Sequence, residues 1–156
     1  MFREMRRNKK LMTDEEAMQV LKDCNYGIVA VNGDDGYPYG VPVNYALYDG
    51  KIVFHSALDG HKCDAIAKSE KVCFTVVGRE NILAEKFSTD FDSVVVFGKA
   101  KAITDIEEKI VRLMSLIEKY ASQFIKEGNA YVNNDAANTG VFEIEIEDIK
   151  GKRSVN

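Results

Sequence analysis

A chain of 156 residues can bury one substantial core but not two comfortable ones, and 46% hydrophobic with 29% charged residues is ordinary for a soluble globular protein. A formal charge of −4 argues against a general nucleic-acid binder, which needs a basic face to neutralise phosphates. Cys24, Cys63 and Cys73 form no C-x-x-C pair, the N-terminus has no apolar h-region, and no run approaches the ~20 apolar residues of a bilayer span; the expectation is a cytoplasmic protein without a membrane partner.

Residues 1–12 form a basic arm, with Arg3, Arg6, Arg7, Lys9 and Lys10 against Glu4, read as a mobile solvated tail. Residues 13–156 read as a single domain. Thr13-Asp14-Glu15-Glu16 is a capping box, and Ala17, Val20, Leu21 and Cys24 form one stripe of the helix behind it. Gly27–Val31 reads as a short strand, followed by the turn cluster Asn32–Gly36. A returning strand from about Tyr37 to Tyr48 carries both prolines of the chain, Pro38 and Pro42, and so belongs at an edge or a barrel rim. A ligand can meet backbone there; the plain alternative is an edge protected from aggregation.

Asp49-Gly50 is a turn, and Ile52-Val53-Phe54-His55 reads as a strand running through small residues into a helix over 61–69. A strand that enters a helix this way leaves backbone N–H groups without partners, and these with the helix dipole favour an anion, most often phosphate. Lys62 in the first turn opposes the dipole unless an anion lies between. The bland reading is that Asp59 caps the helix and Lys62 points into water.

Val72–Val77 reads as a buried strand, and residues 79–92 as a long loop with at most one helical turn. Ser93–Ile103 is a long strand with Gly98 as a bulge or close approach. Thr104-Asp105-Ile106-Glu107 is a second capping box. Behind it Ile106, Ile110, Leu113, Met114, Ile117, Tyr120, Ala121 and Phe124 recur at helical spacing as core packing. Residues 126–139 read as a polar loop. Val141–Ile149 alternates, with Phe142, Ile144 and Ile146 on one face and Glu143, Glu145 and Glu147 on a solvated one. About six strands and three helices, mostly with short connections, predict a mainly β (α+β) fold: a six-stranded antiparallel β-barrel with peripheral helices.

The chemistry is defined partly by exclusion. No G-x-G-x-x-G, P-loop, H-E-x-x-H or nucleophile elbow occurs. His61 and Cys63 point to different sides of a helix, and no cluster completes a metal site, so no metal is expected. Cys63 shares an apolar stripe with Ile66 and Ala67 and reads as packing. What remains is a phosphate-sized anion site, a proline-broken strand, and His55 just before the anion turn.

The runs Tyr37–Tyr45, Gly50–Lys62 and Ser93–Gly98 closely resemble the pyridoxamine 5'-phosphate oxidase-like flavoproteins, most of all their nitroimidazole-resistance branch. The most specific segment is F-H-S-A-x-x-G-H-K. The resemblance implies an FMN-binding split β-barrel, a homodimer with two flavin sites at the subunit interface. It implies that Pro42, Val43, Asn44 and Tyr45 line the flavin ring largely through backbone. It further implies that His55, Ser56 and Ala57 reach the ribityl chain and phosphate, that Gly60, His61 and Lys62 form the phosphate cradle, and that Ser93 approaches from the partner subunit. His55 matches the histidine beside flavin and substrate and is the candidate catalytic residue. The arginine-rich phosphate pattern and C-terminal signature of true pyridoxamine phosphate oxidases are missing. The expected activity is therefore NAD(P)H-dependent reduction of a small acceptor, such as a nitroaromatic (5-nitroimidazole) compound. The alternatives are a flavin carrier or sensor without turnover, and a barrel that binds haem or a deazaflavin.

Overall fold

The first capping box forms as the sequence predicts. In the computed structural model, which describes residues 1–156, the Glu16 N–H donates to Thr13 Oγ1 at 3.2 Å and the Thr13 N–H to the Glu16 carboxylate at 2.9 Å, starting α1 (Asp14–Asp23). The cap contributes ~1 kcal/mol, and the stripe behind it buries Ala17 and Leu21.

Seven strands follow: β1 (Gly27–Asn32), β2 (Pro38–Val43), β3 (Ala46–Tyr48), β4 (Lys51–Ser56), β5 (Lys71–Leu83), β6 (Ser88–Ala102) and β7 (Gly140–Ser154). All pair antiparallel in one sheet of order β2-β1-β5-β6-β7-β4-β3. The seventh strand arises because Tyr37–Tyr48 breaks at Asn44-Tyr45, and its halves β2 and β3 lie at opposite edges of the sheet. Six inter-strand gaps of about 4.8 Å would hold flat edges ~29 Å apart, whereas the three peptide steps from Val43 to Ala46 reach ~11 Å at most. The sheet must therefore curl until its edges approach, giving the expected half-closed barrel. Leu21, Val29, Phe54, Phe74, Val96 and Ile144 fill its interior.

Four α-helices surround the sheet rather than three: α1, α2 (His61–Lys68), α3 (Ile106–Tyr120) and α4 (Ile125–Asp135). The fourth occupies the stretch read as a loop. Its composition is polar, but Gly128 lets its backbone approach Ile117 of α3 so closely that a Cβ there would lie 2.4 Å from Cγ2. Helix α3 starts from Asp105, whose carboxylate accepts the Glu108 N–H at 3.0 Å, one residue later than the box predicts. Helices α3 and α4 cover the outer face of β3, β4 and β7 with a second core that includes Val53, Leu113, Leu116, Val132 and Val141.

Three further expectations are corrected. Residues 79–92 are not a loop: β5 and β6 run on as a hairpin, Glu80 opposite Phe91 to Leu83 opposite Ser88, closed by a 3₁₀ turn over Ala84–Lys86. A register shift between Val77 and Glu80 destroys the alternation by which a strand is recognised. The basic arm is docked, not free: Met12 is buried, its N–H donates to Gly151 O at 2.9 Å, Lys10 Nζ donates to Ser154 Oγ at 2.6 Å, and Phe2 stacks on Phe97. Glu143 is not solvated. It is 1% exposed beneath α3, accepting from Arg112 Nε at 2.7 Å, with Lys51 Nζ at 3.3 Å.

Candidate functional site

Strand β4 delivers His55 and Ser56 to the end of the sheet, opposite Val141 and Gly140 of β7. Val53 and His55 share the outer face, as period two requires; Val53 packs into the second core, while His55 projects past it. The chain then turns. The Ser56 hydroxyl donates to Ala57 O at 2.6 Å, and the Cys63 sulfur lies 3.6 Å from the same carbonyl, tying the turn to the first turn of α2. Gly60 precedes the helix at φ +123°, a conformation other residues rarely adopt, with open space where a Cβ would stand.

Thr13 and Asp105 cap α1 and α3 by side chain, whereas α2 and α4 have no side-chain cap; α4 continues directly from the 3₁₀ turn Ser122–Phe124, and α2 starts from an open turn. Asp59 does not cap it. The leading N–H groups of α2 therefore face outward with the positive end of the dipole. Lys62 stands in this first turn, partly buried and without an ion pair in the chain.

His61 contributes differently. Its ring stacks on Tyr39 with centroids 4.2 Å apart, and its Nε2 accepts the Asp34 N–H at 3.4 Å. The imidazole thus faces the β1–β2 turn and leaves only its backbone N–H at the helix start. Desolvation, aided by the Lys62 ammonium, holds the His55 pKa below its ordinary value.

The proline-bearing strand approaches the same place from the other edge. Strands β3 and β4 pair from Tyr48 opposite Lys51 to Ala46 opposite Val53. The same register would set Asn44 opposite His55, but the ladder opens before that point. Tyr120, at the end of α3, holds it open: its hydroxyl accepts the Tyr45 N–H at 2.9 Å and lies 2.6 Å from Asn25 O and 2.8 Å from Tyr45 O. Tyr45 itself is fully buried, and its own hydroxyl donates to Leu21 O. Its side chain and backbone are spent on the wall of the gap. Pro42 and Asn44 are exposed and Val43 half-exposed beside it. Tyr120 was legible in the sequence only as a stripe position; its role depends on a contact 75 residues away along the chain.

Ser93 does not join this cluster within one chain. It pairs with Lys152 on β7, 11 residues from Val141, the residue opposite His55. That is ~35 Å along the strand.

Between His55–Ala57 and the two outer helices lies a cavity of about 320 Å³. Leu113, Leu116 and Ile117 of α3 form one wall, and Tyr131, Val132 and Asp135 of α4 the other. No group of three or more His, Cys, Asp or Glu residues is arranged to hold a metal ion. No helix is long and apolar enough to cross a membrane.

The family model for pyridoxamine 5'-phosphate oxidase matches residues 13–153, nearly the whole chain. The chain belongs to that family. None of the curated proteins matches it in sequence. Among solved structures, a proposed 5-nitroimidazole antibiotic resistance protein from Bacteroides thetaiotaomicron superposes with a TM-score of 0.78 at 23% identity, over 91% of this chain and 85% of that one. A FAD-binding protein from Mesorhizobium loti gives 0.70 at 24% identity, over 93% and 97%. The FAD and haem binding protein from Mycobacterium smegmatis gives 0.81 at 20% identity, over 94% and 74%. At these identities the likeness shows that this member of the pyridoxamine 5'-phosphate oxidase family shares their fold.

Proposed function

We propose that this protein is an FMN-binding flavoprotein that takes electrons from NAD(P)H and reduces a small acceptor of the nitroaromatic class. The observation that carries the reading is the start of α2. No side chain caps it and no helical turn leads into it, unlike α4, which is also uncapped but continues a 3₁₀ turn, and an unpaired lysine stands in its first turn, next to His55. A terminal phosphate supplies the charge that both features lack. The residues present fit FMN on that ground: Gly60 leaves the approach open, the N–H groups of His61 and Lys62 and the Lys62 ammonium hold the phosphate, and Ser56 and Ala57 border the ribityl chain. Pro42, Val43 and Asn44 line the ring from the opened edge, braced by Tyr45 and Tyr120. Family membership and structural relatives that bind FAD support a flavin as the ligand.

When bound, the flavin supplies hydride acceptance from a nicotinamide and delivery of electrons onward. The chain holds and orients. His55 is kept neutral near pH 7, so it offers one N–H donor and one lone pair to an acceptor and positions it by hydrogen bonding. The proposal includes a homodimer in which Ser93 of each chain reaches the other's site. Titration with FMN, followed by absorbance, tests the reading: Lys62→Ala weakens binding by roughly tenfold or more, the loss of one charge-assisted phosphate contact. Unchanged affinity removes the assignment. Oxidation of NADH or NADPH with a nitroaromatic acceptor separates a reductase from a carrier that binds flavin without turnover, and the absorbance spectrum separates flavin from haem.

A further inference from the structure

The cavity between α3, α4 and the end of β4 has its own chemistry. Leu113, Leu116, Ile117 and Val132 make its walls aliphatic, and its volume of about 320 Å³ equals roughly ten water molecules. Helix α4 turns one stripe towards it: Gly128, Tyr131, Val132 and Asp135, at spacings of three and four. Gly128 seats the helix tightly on Ile117 at one end, so the space that opens one turn further on is bounded by rigid, close-packed elements. Core packing calls for an apolar side chain at the last position of that stripe, and the chain has a carboxylate. The Asp135 side chain makes no hydrogen bond or ion pair within the chain; only its backbone carbonyl is used, accepting from Thr139 Oγ1 at 2.9 Å. No lysine or arginine lines the cavity. His55, itself exposed, stands at the β4 side of it, and Tyr131, 65% exposed, on the α4 side.

We infer that this cavity is the seat of the electron acceptor, and that it selects a small molecule with a flat apolar body and a cationic or hydrogen-bond-donating head, the head meeting Asp135 and the body lying between the aliphatic walls next to His55. Its role as an acceptor seat rests on the flavin reading above. An anionic molecule of the same shape is disfavoured, because the one charged side chain lining the cavity is a carboxylate and the Lys62 ammonium stands outside the lining, at the start of α2.

Three probes of matched shape test this: 4-nitrobenzylamine (a cation at neutral pH), 4-nitrobenzyl alcohol (neutral) and 4-nitrobenzoate (an anion). The chain has two histidines, so its ring C–H resonances give two signals by NMR. His55 reports on the cavity, and His61, stacked on Tyr39, serves as the control. In flavin-free protein the amine and the alcohol shift the His55 signal and leave His61 unmoved, the amine binding roughly tenfold tighter than the benzoate through its charge. Asp135→Asn removes the preference for amine over alcohol. Benzoate binding as tightly as the amine overturns the inference, as does a His55 signal that none of the three moves. FMN titrated into the same sample keeps the two readings apart. FMN binding with no probe binding overturns the cavity assignment alone; probe binding without FMN binding overturns the acceptor role and the flavin reading together.

Discussion

His55 and Lys62 are coupled through charge, and the coupling has a sign. Desolvation and the nearby ammonium both disfavour the imidazolium, so the folded-state pKa of His55 lies below the ordinary value near 6.5. Neutral His55 therefore contributes stability that is fully present above ~6.5 and is lost as the pH falls through the folded pKa. An NMR titration should place the His55 midpoint below the ordinary value, and Lys62→Ala should move it upward without restoring it, because desolvation remains. A midpoint that ignores Lys62 would place the ammonium too far away to cradle a phosphate beside the ring. Glu143 behaves differently. Burial alone would raise its pKa, but the Arg112 hydrogen bond and charge, with Lys51, more than offset this and the net shift is downward. Its ionised form stabilises the fold above the unfolded pKa of ~4.3 and ceases to do so as the pH falls through the folded value. Glu143→Gln should cost about 2–4 kcal/mol at pH 7, near the lower end for a broken buried pair because Arg112 keeps Glu108. In urea unfolding the two proteins should converge as the pH is lowered.

Individual elements differ in how much of their structure is local. The strand–turn–helix of residues 50–68 was legible because each signal lies within a few residues of its effect: branched residues, then small ones, then helical spacing. The turn into the uncapped start of α2 was legible for the same reason. Helix α4 was not, since its polar sequence folds as a helix against Ile117, and periodicity carries no trace of that partner. Glu143 was misplaced because alternation assigns faces and does not say which face another layer will cover. The cavity behind His55 was invisible for that reason too, being built from three elements spread over 85 residues. Gly98 lies between these cases. The sequence marks it as a bulge or close approach, and the register of β6 against β7 shifts between Phe97 and Gly98. A Cβ there would meet the Glu145 carbonyl oxygen at 2.2 Å, a backbone atom that cannot rotate away. Gly98→Ala should therefore destabilise by about 2 kcal/mol or more, seen as a lowered Tm. An unchanged Tm would mean that the two longest strands adjust their register freely and that the ladder is not interlocked at Gly98.

On the scale of the whole molecule, one surface remains without a partner. Residues 73, 75 and 77 of β5, with Ile28 of β1 and residues 93, 95 and 97 of β6, share one outer face by pairing and alternation. Ile28, Val77 and Phe97 are exposed on it, with Phe2 stacked over Phe97 at one end. Beside it projects the β5–β6 hairpin, with Ile82 and Phe87 exposed near its tip. A two-stranded ribbon is marginal in water by itself, and contiguous exposed apolar surface marks an interaction site. Ser93 lies on this face, distant from His55 within one chain. A second copy packed face to face would cover the patch and would give Ser93 a route into the proposed flavin site. Sedimentation should accordingly give twice the 17.5 kDa of one chain. Val77→Lys, which sets a charge in the middle of the face, should yield monomers and lower FMN affinity with them, although no residue near α2 has changed. A folded Val77→Lys monomer that binds FMN as tightly as the parent would show that the site is complete in one chain, and would leave Ser93 without a part in it.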